Sequence, residues 1–187
     1  MPTIRFETTP LKIGEWTILR LPEKVSAMLP SRGMALVEGT INGFHSKLVL
    51  EPDGRGSHWF RVDSKLRKAA NIDTRGPVTI AVEPSKEWPE PDVPTDLNNA
   101  LASDPEANVL WVKLTTMARW DWLRWIRATH NPETRSRHIE VALSKLKAGE
   151  RRPCCFNRNL CTEPEVSKNG VLIEPMSPTK LRRPVDS

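Results

Sequence analysis

The sequence predicts an α+β protein, with a small N-terminal β-barrel of about six strands followed by a C-terminal helical module of about four helices. Three observations carry this prediction. The first ninety residues alternate apolar and polar positions with period two. An acidic connector from Pro84 to Pro94, with four prolines and Glu87, Glu90 and Asp92, then breaks the pattern. Beyond it the apolar period becomes 3.6.

The strands follow in order. Ile4 and Phe6 alternate with Arg5 and Glu7, and Trp16, Ile18 and Arg20 alternate with Thr17, Leu19 and Leu21. A stretch from Gly33 to Ile41 meets Asn42-Gly43 and continues as Phe44 to Glu51. Asn-Gly between two apolar runs signals a hairpin, because both central residues of that turn need positive φ. Asp53-Gly54-Arg55-Gly56 is a second turn, leading into His58-Trp59-Phe60-Arg61-Val62. Val78, Ile80 and Val82 alternate with Thr79, Ala81 and Glu83. Six such strands bury a shared interior only by curling into a small barrel or a tight sandwich. A short helix from Ser64 to Ala70 is expected to plug one end, with Leu66, Ala69 and Ala70 inward.

Past the connector, Thr95 is expected to cap a helix carrying Leu97, Ala100 and Leu101. Asp104-Pro105-Glu106 has the cap–proline–acid order that starts another. A third helix is expected from Thr116 to Thr129 and a fourth from Pro132 to Ala148. The fourth is best punctuated: Asn131 caps, Pro132 suits the first position, Glu133 meets the positive dipole end, and Gly149 stops it. Trp122, Trp125 and Ile126 share one helical face and read as core. Glu133 and Arg137 are an i, i+4 pair that needs no function.

The domain boundaries read as 1–90, 95–149 and a proline-rich, cysteine-containing tail over 150–187. A hairpin-like segment is expected at Lys168–Ile173, and the last dozen residues are expected to be disordered. No apolar run approaches the roughly 20 residues of a membrane helix. The N-terminus has no apolar signal region, so the expectation is a cytoplasmic protein with no membrane partner.

The formal net charge is +5 over 187 residues. Between Lys113 and Arg152 lie ten Lys/Arg and four Asp/Glu, a local excess of +6. Such a segment is either a solvated helical face or an attractor of nucleic acid, anionic lipid or acidic protein. The three cysteines, Cys154, Cys155 and Cys161, are an odd set confined to the tail and make a poor disulfide framework.

Residues of about 95–149 resemble the bacteriocin-protection (OmpD-associated) family. The resemblance rests on a Leu-Ala-containing short helix, an aromatic helix ending in Trp125-Ile126, then Glu133-Thr134-Arg135, Arg137 and the Leu146 to Gly149 close. Residues of about 3–90 resemble the domain of unknown function that often precedes it, through Val37–Gly43 and Lys65–Ala70. The resemblance implies a small β-barrel followed by a helical module and carries over no catalytic residue. Thr129-His130 stands where relatives commonly have an alanine-lysine pair, so no role of that lysine transfers.

Candidate site residues follow from the basic segment. Arg135 sits at the edge of an apolar face, where a guanidinium needs partners. It either forks onto a neighbouring carboxylate or helix C-terminal carbonyls, or shares an anion clamp with Arg127 or Arg137. Trp120 lies away from the core stripe and either packs on the barrel or stacks on a ligand. Cys154, Cys155 and Cys161, with His130 or His138, could surround zinc, although adjacent cysteines rarely share a site. Nearby arginines make a redox-responsive thiol the other reading, and inert thiols the plainest. Enzymatic signals are poor: there is no phosphate-binding loop or nucleophile motif. His45 and His58, on strands flanking the Asp53–Gly56 turn, could do acid–base work if paired with Asp53 or Asp63, but solvated strand histidines are commoner.

The leading expectation is a non-enzymatic binding or stress-protection protein, without a cofactor. It would recognise an anionic small molecule or an acidic protein through Arg127, Arg135, Arg137 and Trp120. The alternatives are sequence-independent nucleic-acid binding by the same surface, or a metal- or redox-linked activity of the tail cysteines.

Overall fold

The structure is a computed structural model and describes residues 2–175. The expected disorder of the last dozen residues lies outside that range. The described chain divides into two compact units. One holds residues up to Lys86 with 159–161 and 166–175; the other holds Glu87–Arg158 with Thr162–Glu165.

The first unit is an antiparallel sheet of seven strands: β1 (Ile4–Thr8), β2 (Leu11–Ile13), β3 (Trp16–Arg20), β4 (Ala35–Ile41), β5 (Phe44–Pro52), β6 (His58–Arg61) and β7 (Val78–Pro84). Two short helices accompany it, α1 (Glu23–Ser26) and α2 (Ser64–Ala69). The spatial order is β1-β7-β4-β5-β6-β3-β2. Its end strands, β1 and β2, are separated in the chain by Thr9-Pro10 alone, so the sheet curls as predicted. Pro10 has no N–H to donate and interrupts the ladder there. Thr8 Oγ1 donates to Arg20 O at 2.8 Å, tying the end of β1 to β3. β2, which the sequence reading missed, is three residues long and too short to alternate visibly.

The inward positions of β4, β5 and β7 build the main core: Val37, Ile41, Leu48, Leu50, Val78, Ile80 and Val82 are buried with Leu19, Phe60 and Val62. Asn42 and Gly43 have φ of 49° and 82° and close the β4–β5 hairpin with Ile41 opposite Phe44. β5 pairs with β4 from Phe44 to Leu50 but with β6 only at Glu51 and Pro52. Leu66 packs on the core and Ala70 is buried, but Ala69 faces solvent, correcting its expected inward position.

The tail contributes to this unit. β8 (Ser167–Lys168) and β9 (Val171–Leu172) form the expected hairpin. Cys161, Val166 and Leu172 complete a second apolar cluster with Ile13, Ile18 and Trp59. Leu172 N donates to Asp53 O at 2.9 Å, and Cys161 N to Gly170 O at 2.7 Å.

The second unit contains α3 (Thr95–Ala102), α4 (Pro105–Val112), α5 (Thr116–Arg127) and α6 (Pro132–Lys147). Asp104, Thr115 and Asn131 cap α4, α5 and α6 with side-chain oxygens. Thr95 is the first helical residue of α3, not its cap; Pro94 takes that position without a side-chain bond. Leu97, Leu101, Trp111, Trp122, Leu123, Ile126, Ile139 and Leu146 form the core, with Trp125 packed at its margin. The connector is not a bare spacer. Arg119 grips Glu90 through Nε and Nη2 at 2.9 and 2.8 Å, and Thr116 Oγ1 donates to the same carboxylate.

Candidate functional site

Of the residues expected to form the basic site, Arg127, Arg135 and Trp120 are engaged within the helical unit, whereas Arg137 is exposed. Arg135 donates from Nε and Nη2 to both oxygens of Asp96, at 2.6 and 3.0 Å. This fork holds Asp96 below the usual carboxyl range and raises Arg135. Arg127 lies 3.1 Å from Glu163 and bonds Thr162 Oγ1 at 3.2 Å. Trp120 donates Nε1 to Pro89 O at 2.8 Å and meets Trp88 edge-on, with centroids 6.2 Å apart. Its partners are therefore in the connector. Arg137 is exposed beside a shallow concavity that Glu133 and Glu140 also line, and no ion pair joins it to Glu133. Those carboxylates oppose an anion there.

Charge counted over the folded unit changes the sequence picture. The helical unit holds eleven Lys/Arg and twelve Asp/Glu, a net of −1, because the connector, α3 and the start of α4 supply acids. The described part of the sheet unit holds fourteen Lys/Arg and ten Asp/Glu, a net of +4. The basic excess between Lys113 and Arg152 is local to the sequence and offset in space.

The tail cysteines separate. Cys161 is buried among the apolar residues of the sheet unit, whereas Cys154 and Cys155 are exposed. His130 sits 3.9 Å from Glu165, and His138 stacks on Trp125 with ring centroids 4.0 Å apart. Among the described residues no group of three His, Cys, Asp or Glu is placed to hold a metal ion. Cys161 packs inward with Ile13, Ile18, Trp59, Val166 and Leu172.

An ionic cluster that the sequence reading missed anchors the segment after α6. Asp121 is 2% exposed on α5, with Arg158 Nη2 at 2.8 Å and Arg152 Nη1 at 3.4 Å. Neither approach aligns as a hydrogen bond to Oδ2. Burial outweighs the three surrounding guanidinium groups and pushes the Asp121 carboxyl up. Arg124, one turn on, donates two 3.2 Å bonds to Arg158 O, and Trp122 Nε1 donates to Arg151 O at 3.0 Å. The Asp121/Arg124 spacing of three, inside a tryptophan-rich helix, was the available signal.

The strand histidines do not meet. His45 is exposed on β5, 3.6 Å from Glu38. His58 is fully buried at the start of β6, with Nε2 2.8 Å from Gly33 O and Nδ1 2.5 Å from Ser26 Oγ. Gly33 O can only accept, so Nε2 carries the proton and Ser26 Oγ–H donates to Nδ1. Burial lowers the His58 pKa. Asp53 instead closes its own turn, accepting from Arg55 N and Ser57 N at 2.7 and 3.0 Å. Asp63 caps α2 through Leu66 N. The histidine–serine pair is sealed from solvent and acts as a structural tie.

The sheet unit carries a cleft better suited to a ligand. Where β5 leaves β6, from Phe44 to Leu50, α2 spans the gap and leaves a concavity of about 380 Å³. Leu48, Phe60 and Leu66 floor it, and Phe44, 42% exposed, forms a lip. Lys47, Arg61 and Lys65 surround it with one carboxylate, Asp63, already committed to the α2 cap. Lys47 leans toward Glu38 at 3.7 Å, and Arg61 lies over the Trp16 ring at 4.1 Å. Lys65, Arg67 and Lys68 all project to solvent from α2, which has no acid in its first turn. A larger concavity of about 490 Å³ outside β4 and β7 is lined by Glu38, Glu83, Arg5 and His45 and has no comparable apolar floor.

A curled antiparallel sheet carrying an apolar, cation-rimmed cleft, followed by a four-helix unit, describes a two-part α+β protein with a ligand-sized hollow in its first part. Residues 90–149 match the family described as bacteriocin-protection, YdeI or OmpD-associated, and residues 4–82 match a domain of unknown function, DUF1905. The helical unit is thus similar to the bacteriocin-protection family, and the sheet unit to that domain of unknown function. No curated protein matches the chain. No helix among the described residues is long and apolar enough to cross a membrane.

Proposed function

We infer a protective role under stress or bacteriocin challenge, which the match of residues 90–149 to the bacteriocin-protection family supports. We propose that the protein works by binding and not by catalysis, and that its ligand is an anion with an apolar body held in the β5–α2 cleft. The carrying observation is the apolar floor of Leu48, Phe60 and Leu66 beneath three cations and one committed carboxylate. An apolar body gains by leaving water at roughly 25 cal/mol per Å² buried. Lys65 has no intramolecular ion pair among the described residues, so it can receive the anionic head without breaking one. Arg61 and Lys47 add field without needing contact.

The test is a fluorescence titration with the naphthalene sulfonate dye ANS. Saturable one-to-one binding is expected, weakened about tenfold by Phe44→Ala or Lys65→Glu, a change equivalent to about 1.4 kcal/mol. Arg135→Glu is expected to leave it unchanged. Loss on Arg135→Glu with retention on Lys65→Glu would return the site to the helical unit. A single-stranded oligonucleotide that displaces the dye with a steep salt dependence would make nucleic acid the ligand. In cells challenged with bacteriocin or stress, Phe44→Ala should lose protection while remaining folded.

A further inference from the structure

Cys154 and Cys155 lie outside the cleft and have no part in the binding reading. They are adjacent in sequence and exposed, and their sulfurs lie 2.9 Å apart. The turn that carries them places Cys155 at φ +60°, a left-handed conformation that side-chain-bearing residues rarely adopt. The flanks hold this turn in place. On one side Arg151 O accepts from Trp122 Nε1, and Arg152 faces Asp121 at 3.4 Å. On the other, Arg158 contacts Asp121 at 2.8 Å, its carbonyl accepts from Arg124, and Phe156 lies under the Arg124 guanidinium at 5.2 Å. Two thiols are therefore held together at the surface by a strap fixed at both ends to α5.

We propose that Cys154 and Cys155 form a reversible dithiol–disulfide redox site, whose oxidant is a low-molecular-weight disulfide of the glutathione class. One protein thiolate attacks the small disulfide, forming a mixed disulfide and releasing one small thiolate. The neighbouring thiol gives its proton to water, attacks the protein sulfur of that mixed disulfide and expels the second small thiolate. Two protein thiols are oxidised by two electrons, and one small disulfide becomes two thiols. Neighbouring Cα atoms are about 3.8 Å apart across a trans peptide, below the usual disulfide span of about 4.4–6.8 Å. The ring is therefore strained and easily reduced, as a reversible site requires. Lys145 and Glu150, paired at 3.0 Å, are the charged groups beside the thiols.

The experiment incubates the full-length reduced protein in glutathione redox buffers without oxygen and measures intact mass and peptide maps. The expected product has lost about 2 Da, has its crosslink within the 154–155 peptide, and reverts with dithiothreitol. Cys161→Ser should behave like the parent, whereas Cys154→Ser and Cys155→Ser should each gain one glutathione instead. Tryptophan emission should change on oxidation in the parent and in Cys161→Ser but not in Cys154→Ser or Cys155→Ser, because Trp122 is bonded to the strap. A stable glutathione adduct on the parent, a crosslink through Cys161 or between two chains, or no reaction in excess glutathione disulfide would each overturn the proposal.

Discussion

Arg135 of α6 closes on Asp96 of α3 through two parallel hydrogen bonds, 2.6 and 3.0 Å long, so that the first turn of each helix is tied to the other. Asp96 is also at the positive end of α3, where a carboxylate is favoured.

The pair is partly exposed, with side chains 26% and 47% accessible, so solvent screening limits its worth to about 1 kcal/mol or less. Arg135→Ala and Asp96→Asn should each lower the melting temperature by roughly 2–4 °C at neutral pH. Because Asp96 is depressed below 3.8, its contribution is full above that value and is lost as pH falls further. A thermal melt series from pH 7 to pH 2 checks this: the gap between the parent and Asp96→Asn should hold down to about 3.8 and narrow below it.

Asp121 should behave with the opposite sign. Its carboxyl is raised above 3.8 by burial, so its ionisation is unfavourable in the folded state. Stability from this group is full below the ordinary value and is lost as pH rises through the raised one. Arg152 and Arg158 are 46% and 50% exposed and rehydrate readily when unpaired. Asp121→Asn should therefore change stability by less than about 1 kcal/mol at pH 7, in either direction. A loss several times larger, measured by urea unfolding, would mean that the ionic tie outweighs desolvation.

His58 sets a further pH dependence. Desolvation lowers its pKa below 6.5, with Arg32 acting the same way and Asp53 opposing. The unfolded chain then binds a proton before the folded one, so stability is full above 6.5 and falls as pH drops toward the lowered value. His58→Gln can keep a donor for Gly33 O and an acceptor for Ser26 Oγ without titrating. Its urea midpoint should be flatter than the parent's between pH 6.5 and pH 5.

Gly54 and Gly43 both have positive φ, +79° and +82°, but their surroundings differ. A Cβ at Gly43 meets nothing within 4 Å, so Gly43→Ala should cost only the backbone penalty, about 1–2 kcal/mol. At Gly54 the added carbon would overlap the Gly170 carbonyl and crowd Val171. Gly54→Ala should cost more and should release the β8–β9 hairpin. Hydrogen exchange at Leu172 N, which bonds Asp53 O, should accelerate in Gly54→Ala and remain slow in Gly43→Ala.

Local signals were sufficient wherever a single stretch of chain decides its own structure. The Asn42-Gly43 turn, the Asp104 and Asn131 caps and the alternation along β7 were all legible. Each needs only φ preferences, a capping oxygen, or a period matched to one buried face. Arg135 was legible in kind, since a guanidinium at an apolar edge must find a partner. Which partner depended on α3 lying against α6. Trp120 was read as free to face the barrel or a ligand, yet the connector it contacts, Trp88 and Pro89, is some thirty residues upstream. Asp121 is one acid in a basic helix, and its role exists only because Arg152 and Arg158 return to it.

The amino-acid order alone thus settled the two-part architecture, the hairpin, the capped helices and the core stripes, because these follow from contacts a few residues apart. Folding in three dimensions decided where charge accumulates, since carboxylates from the connector, α3 and α4 neutralise cations distant in sequence. It also decided the cleft: β5 and β6 diverge after two paired positions, and α2 bridges the gap with Leu66 inward and Lys65 outward. A hollow is the space that separate elements fail to fill, and no period within one segment encodes it.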